Sequence, residues 1–338
     1  MDSSSFAFMD TTELAELIRT KKASPVEAVD AYLDRIEALN PKLNAFLTVT
    51  ADEARAEAKK AEAAVMRGDD LPPLHGIPVG VKDLEMTKGI RTTLGSLVYK
   101  DQVPEEDSII VERLRKAGVI ILGKTNTPEF GASGTTENKL GDHCRNPWDT
   151  TRTTGGSSGG SGAALAAGLC PLATGSDGGG SIRIPSSFCG VYGIKATHGR
   201  VPSPRTSWVL FADSGPMSRT VRDSALMLNV ISGRDPRDSL CIREDPPDFV
   251  AALNGDLKGL KVAWSPDLGY AAVDEEVLSV TRSTADLFQE LGCNVEEATP
   301  ASGEPFEIFD KIIPAENYAE SGEELLGEAP AAAAESHS

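Results

Sequence analysis

Val26, Val29, Leu33, Ile36 and Leu39 recur at helical spacing, with Glu27, Asp30, Asp34, Arg35 and Glu37 among the positions between them. This periodicity predicts an amphipathic helix with one buried stripe. Its start is marked by Ser24-Pro25-Val26-Glu27, a serine cap with a glutamate three residues on and a proline at the first helical position. Its end is expected at Asn40-Pro41. A shorter helix is expected over residues 12–21, and an alanine-rich one over residues 51–67. Residues 1–70 therefore read as a helical region packed on a core that begins near Ile77.

Beyond that point short apolar runs alternate with helical segments. Residues 77–81, 119–122, 172–174 and 260–263 read as short buried strands, with helices over residues 107–117, 161–169 and 220–231. A further helix over 274–291 and a strand over 294–297 follow. Alternation of this kind predicts an α/β fold, a sheet covered by helices on both faces. Residues 71–300 make up this core, and no internal repeat interrupts it.

The 338 residues, 40% hydrophobic and 25% charged, are ordinary for a soluble globular protein. No apolar stretch approaches a membrane span, and Met1-Asp2-Ser3-Ser4-Ser5-Phe6 lacks the features of a secretory signal. A cytoplasmic location without membrane contact is the expectation. Five widely spaced cysteines without a C-x-x-C pair fit a reducing compartment and suggest neither a disulfide framework nor a zinc site. Cys170 and Cys189 flank a glycine-serine run, but are read as small buried hydrophobes.

Net charge is −18, of which residues 296–338 contribute −10 through eleven acidic residues against one lysine. A balance this acidic argues against nucleic-acid binding through a basic surface. Residues 301–338, acidic and ending in an alanine run, are expected to form a disordered tail.

The candidate chemistry lies in three segments: Gly80-Val81-Lys82-Asp83, Thr154-Gly155-Gly156-Ser157-Ser158-Gly159-Gly160-Ser161, and Ser176-Asp177-Gly178-Gly179-Gly180-Ser181-Ile182-Arg183. Consecutive glycines let backbone N–H groups approach a ligand closely, so Gly178, Gly179 and Gly180 are candidates for an oxyanion hole. Ser181, at the end of that run, sits where a nucleophile is needed. A serine needs a neighbouring base. His75, His143, His198 and His337 lie in turns, polar loops or the tail, none near a glycine-serine run with an obvious carboxylate. Lys82 ends an apolar strand, where burial lowers an amine's pKa and makes it a usable base.

Two other motif matches fail on context. Residues 118–125 fit G-x-x-x-x-G-K-[ST], but a helix precedes the first glycine and residues 119–122 are themselves the strand. Ser157 and Ser158 both fit G-x-S-x-G, but the run Asp149 through Thr154 is too polar for the strand leading into a nucleophile elbow.

In order and composition the three segments resemble the amidase signature family, and the resemblance covers roughly residues 10–300. It implies a mixed sheet surrounded by helices and hydrolysis or transfer of amide groups. Ser181 would be the nucleophile, Ser157 the relay following a cis peptide bond at Gly156–Ser157, and Lys82 the base, with Ser158, Asp177 and Arg183 as support. The substrate would be a small amide; no cofactor or metal is implied, and homo-oligomerisation is left open. Members of the family usually continue further, so the C-terminal part of the fold is expected to be missing. An active amide hydrolase, an inactive fragment, and the amide-transferring subunit of a transfer-RNA amidotransferase all stay open. Gly178-Gly179-Gly180 resembles the hydrolases more closely.

Overall fold

In the computed structural model, which describes residues 5–203, 211–301 and 303–317, the N-terminal periodicities become α1 (Thr11–Arg19), α2 (Pro25–Leu43) and α3 (Ala51–Arg67). The Ser24 hydroxyl accepts from the N–H groups of Val26 and Glu27, and the Glu27 carboxylate accepts from the Ser24 N–H. This reciprocal cap satisfies donors that the first helical turn would leave orphaned. Val29, Tyr32, Leu33 and Ile36 of α2 are buried in the core.

The expected stop at Asn40-Pro41 is overridden. Pro41 lies inside α2, and the helix ends at Asn44, which takes a left-handed φ of 50°. The Asn40 side chain explains the extension, because it accepts from Phe46 N–H (2.8 Å) and donates to Phe46 carbonyl oxygen (3.1 Å). This clamp ties the last turn of α2 to the following strand, at a helix end where proline removes little.

The larger compact unit, Met1–Ala251, is built on a six-stranded sheet. Its strands are β1 (Phe46–Val49), β2 (Pro78–Lys82), β3 (Ile120–Thr125), β4 (Leu172–Asp177), β5 (Tyr192–Gly193) and β6 (Asp213–Ser218), in the order β1-β3-β2-β4-β6-β5. The central β3-β2-β4 pairs are parallel and the outer pairs antiparallel, giving the expected mixed sheet. All residues of β2 and β3 are buried, as strands covered on both faces must be.

The strand expected over residues 119–122 runs on to Thr125. The strand continues because Gly123 sits where β1 crosses closely: a Cβ there would lie 2.1 Å from the Thr48 carbonyl oxygen. With α4 (Ile109–Lys116) before it and β3 running through its second glycine, the G-x-x-x-x-G-K-T stretch is no phosphate loop. Strands β1, β5 and β6 were not foreseen, since they are short or, like Asp-Ser-Gly-Pro-Met-Ser, carry no apolar run.

Helices α5 (Gly159–Ala166), α6 (Arg183–Cys189), α7 (Val221–Ile231) and α8 (Phe249–Ala252) complete this part of the chain. Gly160 of α5 admits no side chain, because a Cβ would lie 2.1 Å from Asn126 N and 2.6 Å from the Ala45 carbonyl oxygen.

The smaller unit, Ala252–Ser338, pairs β7 (Lys261–Trp264) in parallel with β8 (Asn294–Glu297), with α9 (Glu275–Glu290) between them and α10 (Phe306–Asn317) following. The run read as a buried strand of the main sheet is therefore β7 of a separate two-stranded sheet. Its residues alternate between exposed and half-buried. Residues 306–317 of the segment expected to be disordered form α10, and residues 318–338 lie outside the described residues.

Candidate active site

The three segments singled out in the sequence converge at the C-terminal ends of β2 and β4. Lys82 closes β2, and its Nζ lies 2.8 Å from Ser157 Oγ and 2.9 Å from Ser176 Oγ. Its own N–H donates to Thr174 Oγ1, fixing the end of β2 against β4. Lys82 has no exposed surface. Burial lowers its pKa to about 7, against the opposing pull of the Glu85 and Asp177 charges. Near neutral pH a large fraction of this lysine is therefore an uncharged amine, able to accept a proton.

Ser157 follows a cis peptide bond at Gly156–Ser157, the bond that the resemblance implies. Next to it, the Ser158 N–H donates to the Ser181 carbonyl oxygen (3.1 Å), and the Ser158 hydroxyl accepts from the Ser176 N–H (3.3 Å). Ser158 thus joins the start of α5 to the end of β4 and to the turn that carries Ser181.

Asp177 organises that turn. Its carboxylate accepts from the N–H groups of Gly180 (2.7 Å), Ile182 (3.2 Å) and Arg183 (3.3 Å), and from the Arg183 guanidinium at 2.8 and 2.9 Å. Burial alone would raise its pKa, but the Arg183 and backbone hydrogen bonds outweigh it and hold the group below the ordinary carboxylate range. The turn that presents Ser181 is tied to an anion that stays ionised.

The three glycines differ in consequence. Gly180 takes a φ of 117°, a conformation that side chains other than glycine's rarely adopt, and its N–H is committed to Asp177. The N–H groups of Gly178, Gly179 and Ser181 form no hydrogen bond among the described residues. Neither does the half-buried Ser181 hydroxyl, so the Lys82–Ser157 link is made here and the Ser157–Ser181 link is not.

Sequence reading overlooked Ser176, a second hydroxyl on Lys82. Its signal was the alternation Thr174-Gly175-Ser176, which places both side chains on one face once β4 is read through to Asp177. Also missed was a second buried lysine, Lys124, whose Nζ donates to the Glu85 carbonyl oxygen (2.5 Å), Thr87 Oγ1 (2.9 Å) and Thr92 Oγ1 (2.8 Å). Burial lowers its pKa to about 8, against the pull of nearby Asp83 and Glu85. Two histidines also have carboxylate partners that the sequence did not reveal: His198 Nδ1 lies 3.2 Å from Asp213 Oδ1, and His143 Nδ1 lies 2.8 Å from Glu137. Asp213 is the β6 residue opposite Asp177 and also pairs with Lys195.

Burial raises the Cys170 and Cys189 thiols to about 12, as fits their reading as packed hydrophobes. Among the described residues, no cluster of three or more His, Cys, Asp or Glu could hold a metal ion, and no helix is long and apolar enough to cross a membrane.

Residues 27–327 match the Amidase family. The chain belongs to the amidase family. It is 43% identical to an acylamidase of Rhodococcus erythropolis and 41% identical to a glutamyl-tRNA(Gln) amidotransferase subunit of Carboxydothermus hydrogenoformans, with 91% of this chain covered in each case. It covers 65% and 64% of those proteins, so it spans about two thirds of their length. Among solved structures it resembles a bacterial aryl acylamidase of the amidase signature enzymes, with a TM-score of 0.88 and 33% identity over 93% of this chain and 66% of that one. It also resembles the corresponding glutamyl-tRNA(Gln) amidotransferase subunit of Thermotoga maritima, with a TM-score of 0.79 and 30% identity over 97% of this chain and 71% of that one. The amidase-family fold thus matches the mixed sheet described above.

Proposed function

We propose that the chain carries the catalytic apparatus of an amidase that hydrolyses the carbon–nitrogen bond of a small carboxylic amide through a serine acyl-enzyme. The observation that carries this reading is Lys82 Nζ, fully buried and 2.8 Å from Ser157 Oγ. Ser181 Oγ attacks the amide carbonyl, its proton passes to Ser157, and the Ser157 proton passes to the neutral Lys82 amine. The N–H groups of Gly178, Gly179 and Ser181 are the donors available to the oxyanion, while Gly180 serves by holding the turn through Asp177. Collapse of the tetrahedral intermediate breaks the C–N bond, and the departing amine takes the proton back from Lys82 through Ser157. Water then attacks the Ser181 ester along the same proton path and releases the acid. Ser158, Asp177 and Arg183 position the nucleophile. This chemistry calls on no cofactor.

The relatives named as amidotransferase subunits support a second reading, in which the same acyl-enzyme is resolved by ammonia with the help of partner subunits. A reducing, cytoplasmic setting belongs to the main proposal, supported by five free cysteines. The test is release of p-nitroaniline from short acyl p-nitroanilides by the purified chain. Turnover that disappears in Ser181→Ala supports the amidase, whereas equal turnover in Ser181→Ala contradicts it. Ammonolysis that appears only with added partner subunits favours the second reading.

A further inference from the structure

A cavity of about 520 Å³ opens where the C-terminal half of α2, the end of α5 and the turn after α6 come together. Leu39, Val191 and the exposed indole of Trp148 give it apolar walls, and Arg35, Lys42 and Arg219 are its charged residues. No aspartate or glutamate lines it, a local reversal in a chain of net charge −18. The volume falls within the roughly 300–1,000 Å³ usual for small-molecule sites.

Both guanidinium groups are held in place. Arg35 donates to the carbonyl oxygens of Ala167 (2.7 Å) and Gly168 (3.0 Å), and Arg219 to those of Met9 (2.8 Å) and Cys170 (3.0 Å). They lie 5.5 and 5.8 Å from the centroid of the Phe8 ring. Neither forms an ion pair among the described residues, and the buried Arg219 Nε–H has no acceptor. These are cations fixed by backbone and aromatic contacts, with charge left for an anion and little side-chain entropy still to lose.

The geometry points to a binding site for an amphipathic monocarboxylate, its apolar chain against Leu39, Val191 and Trp148 and its carboxylate held by Arg35, Arg219 and Lys42. A bare phosphate would leave the apolar walls wet, and a neutral hydrocarbon would leave the cations without a counter-charge. The site is separate from the serine cluster. Helix α5 begins beside Ser158 and ends at the cavity, and its eight residues span about 12 Å.

Isothermal titration of the full chain with sodium octanoate, and separately with 1-octanol, tests the assignment. Octanoate is expected to bind saturably at one site, at least fivefold more tightly than octanol, and equally well in Ser181→Ala and in protein whose Ser181 has been blocked by a fluorophosphonate. Lys42→Glu changes an exposed residue and is expected to weaken octanoate at least fivefold without affecting octanol. Absence of saturable binding, equal affinity for the two ligands, insensitivity to Lys42→Glu, or loss of binding on blocking Ser181 would each overturn the proposal. A dimer that excludes octanoate and dissociates on Trp148→Glu would assign the face to a second copy of the chain instead. The outcome does not depend on whether the chain hydrolyses amides.

Discussion

Lys82 and Lys124 are both fully buried on adjacent parallel strands, and the register places Lys124 opposite Val81 and Lys82 opposite Thr125. Paired residues share a face and neighbours alternate, so the two amines emerge on opposite faces of the sheet. Their surroundings separate their roles. Lys82 meets the hydroxyls of Ser157 and Ser176, whereas Lys124 is enclosed by Thr87, Thr92 and the Glu85 carbonyl, 3.9 Å from Asp83.

Activity should follow the neutral form of Lys82. With its pKa lowered to about 7, kcat/KM is expected to rise about tenfold per pH unit below that value and level off above it. A pH profile on an acyl p-nitroanilide measures this, and a flat acid limb from pH 5 to 8 would remove Lys82 as the base.

Glu85→Gln should move that limb to lower pH. The Glu85 charge favours the ammonium form of Lys82, so neutralising it lowers the lysine pKa further. Ser108 and Ser214 donate to the two different carboxylate oxygens in the native chain, and glutamine keeps an oxygen acceptor for one of them while its amide N–H can donate to the hydroxyl of the other. A limb displaced upward would contradict the assigned sign.

Lys82→Met should abolish turnover, by a factor of about 10²–10⁴, without lowering stability at pH 7.5. Keeping neutral a lysine whose unfolded pKa is about 10.4 costs about 4 kcal/mol at that pH. Because the folded pKa is depressed, the stability of the wild type relative to Lys82→Met is lost as pH falls from about 10.4 to about 7. Urea denaturation of both proteins at pH 7 and pH 9 should show the difference moving in favour of the wild type at the higher pH.

Lys124→Met should instead be destabilising, by about 3–5 kcal/mol, because it leaves Asp83 buried with no cation. Burial already raises the Asp83 pKa, against the pull of Lys124. Denaturant midpoints compare the two lysine variants directly, and equal stabilities would refute the division of roles.

Asp177→Ala should cost more activity than Arg183→Met. The first frees the N–H groups of Gly180, Ile182 and Arg183 together, while the second leaves all three on the carboxylate. Parallel kcat/KM measurements decide the order, and a larger loss in Arg183→Met would reverse the account of the turn.

Much of this candidate site was legible because the lysine segment and the two glycine-serine segments stand in an order that resembles the amidase signature family, and that resemblance, not the spacing alone, picked out Ser157. Lys82, Ser157 and Ser181 were singled out from the sequence, and the structure brings Lys82 to Ser157 and ties the Ser181 turn to Ser158. The helix cap at Ser24 was equally plain, since it depends on four consecutive residues. What stayed hidden depends on contacts between distant residues. Asn40 carries α2 past Pro41 by clamping Phe46, Thr48 shapes β3 around Gly123, and Ser176 becomes a partner of Lys82 only when β4 extends past Thr174. Strand β6, with no apolar run, is set by pairing along the whole of β4. The separate β7–β8 sheet went unseen for a related reason, as a short apolar run does not say which strand it will pair with.

The most direct measurement of the central claim is fluorophosphonate labelling of the intact chain at pH 8, with the adduct located by mass spectrometry. The account predicts stoichiometric modification of Ser181, lost in Ser181→Ala and slowed by orders of magnitude in Lys82→Ala. A folded protein that is labelled at Ser158 or Ser157 instead, or that labels at Ser181 just as fast without Lys82, would contradict it.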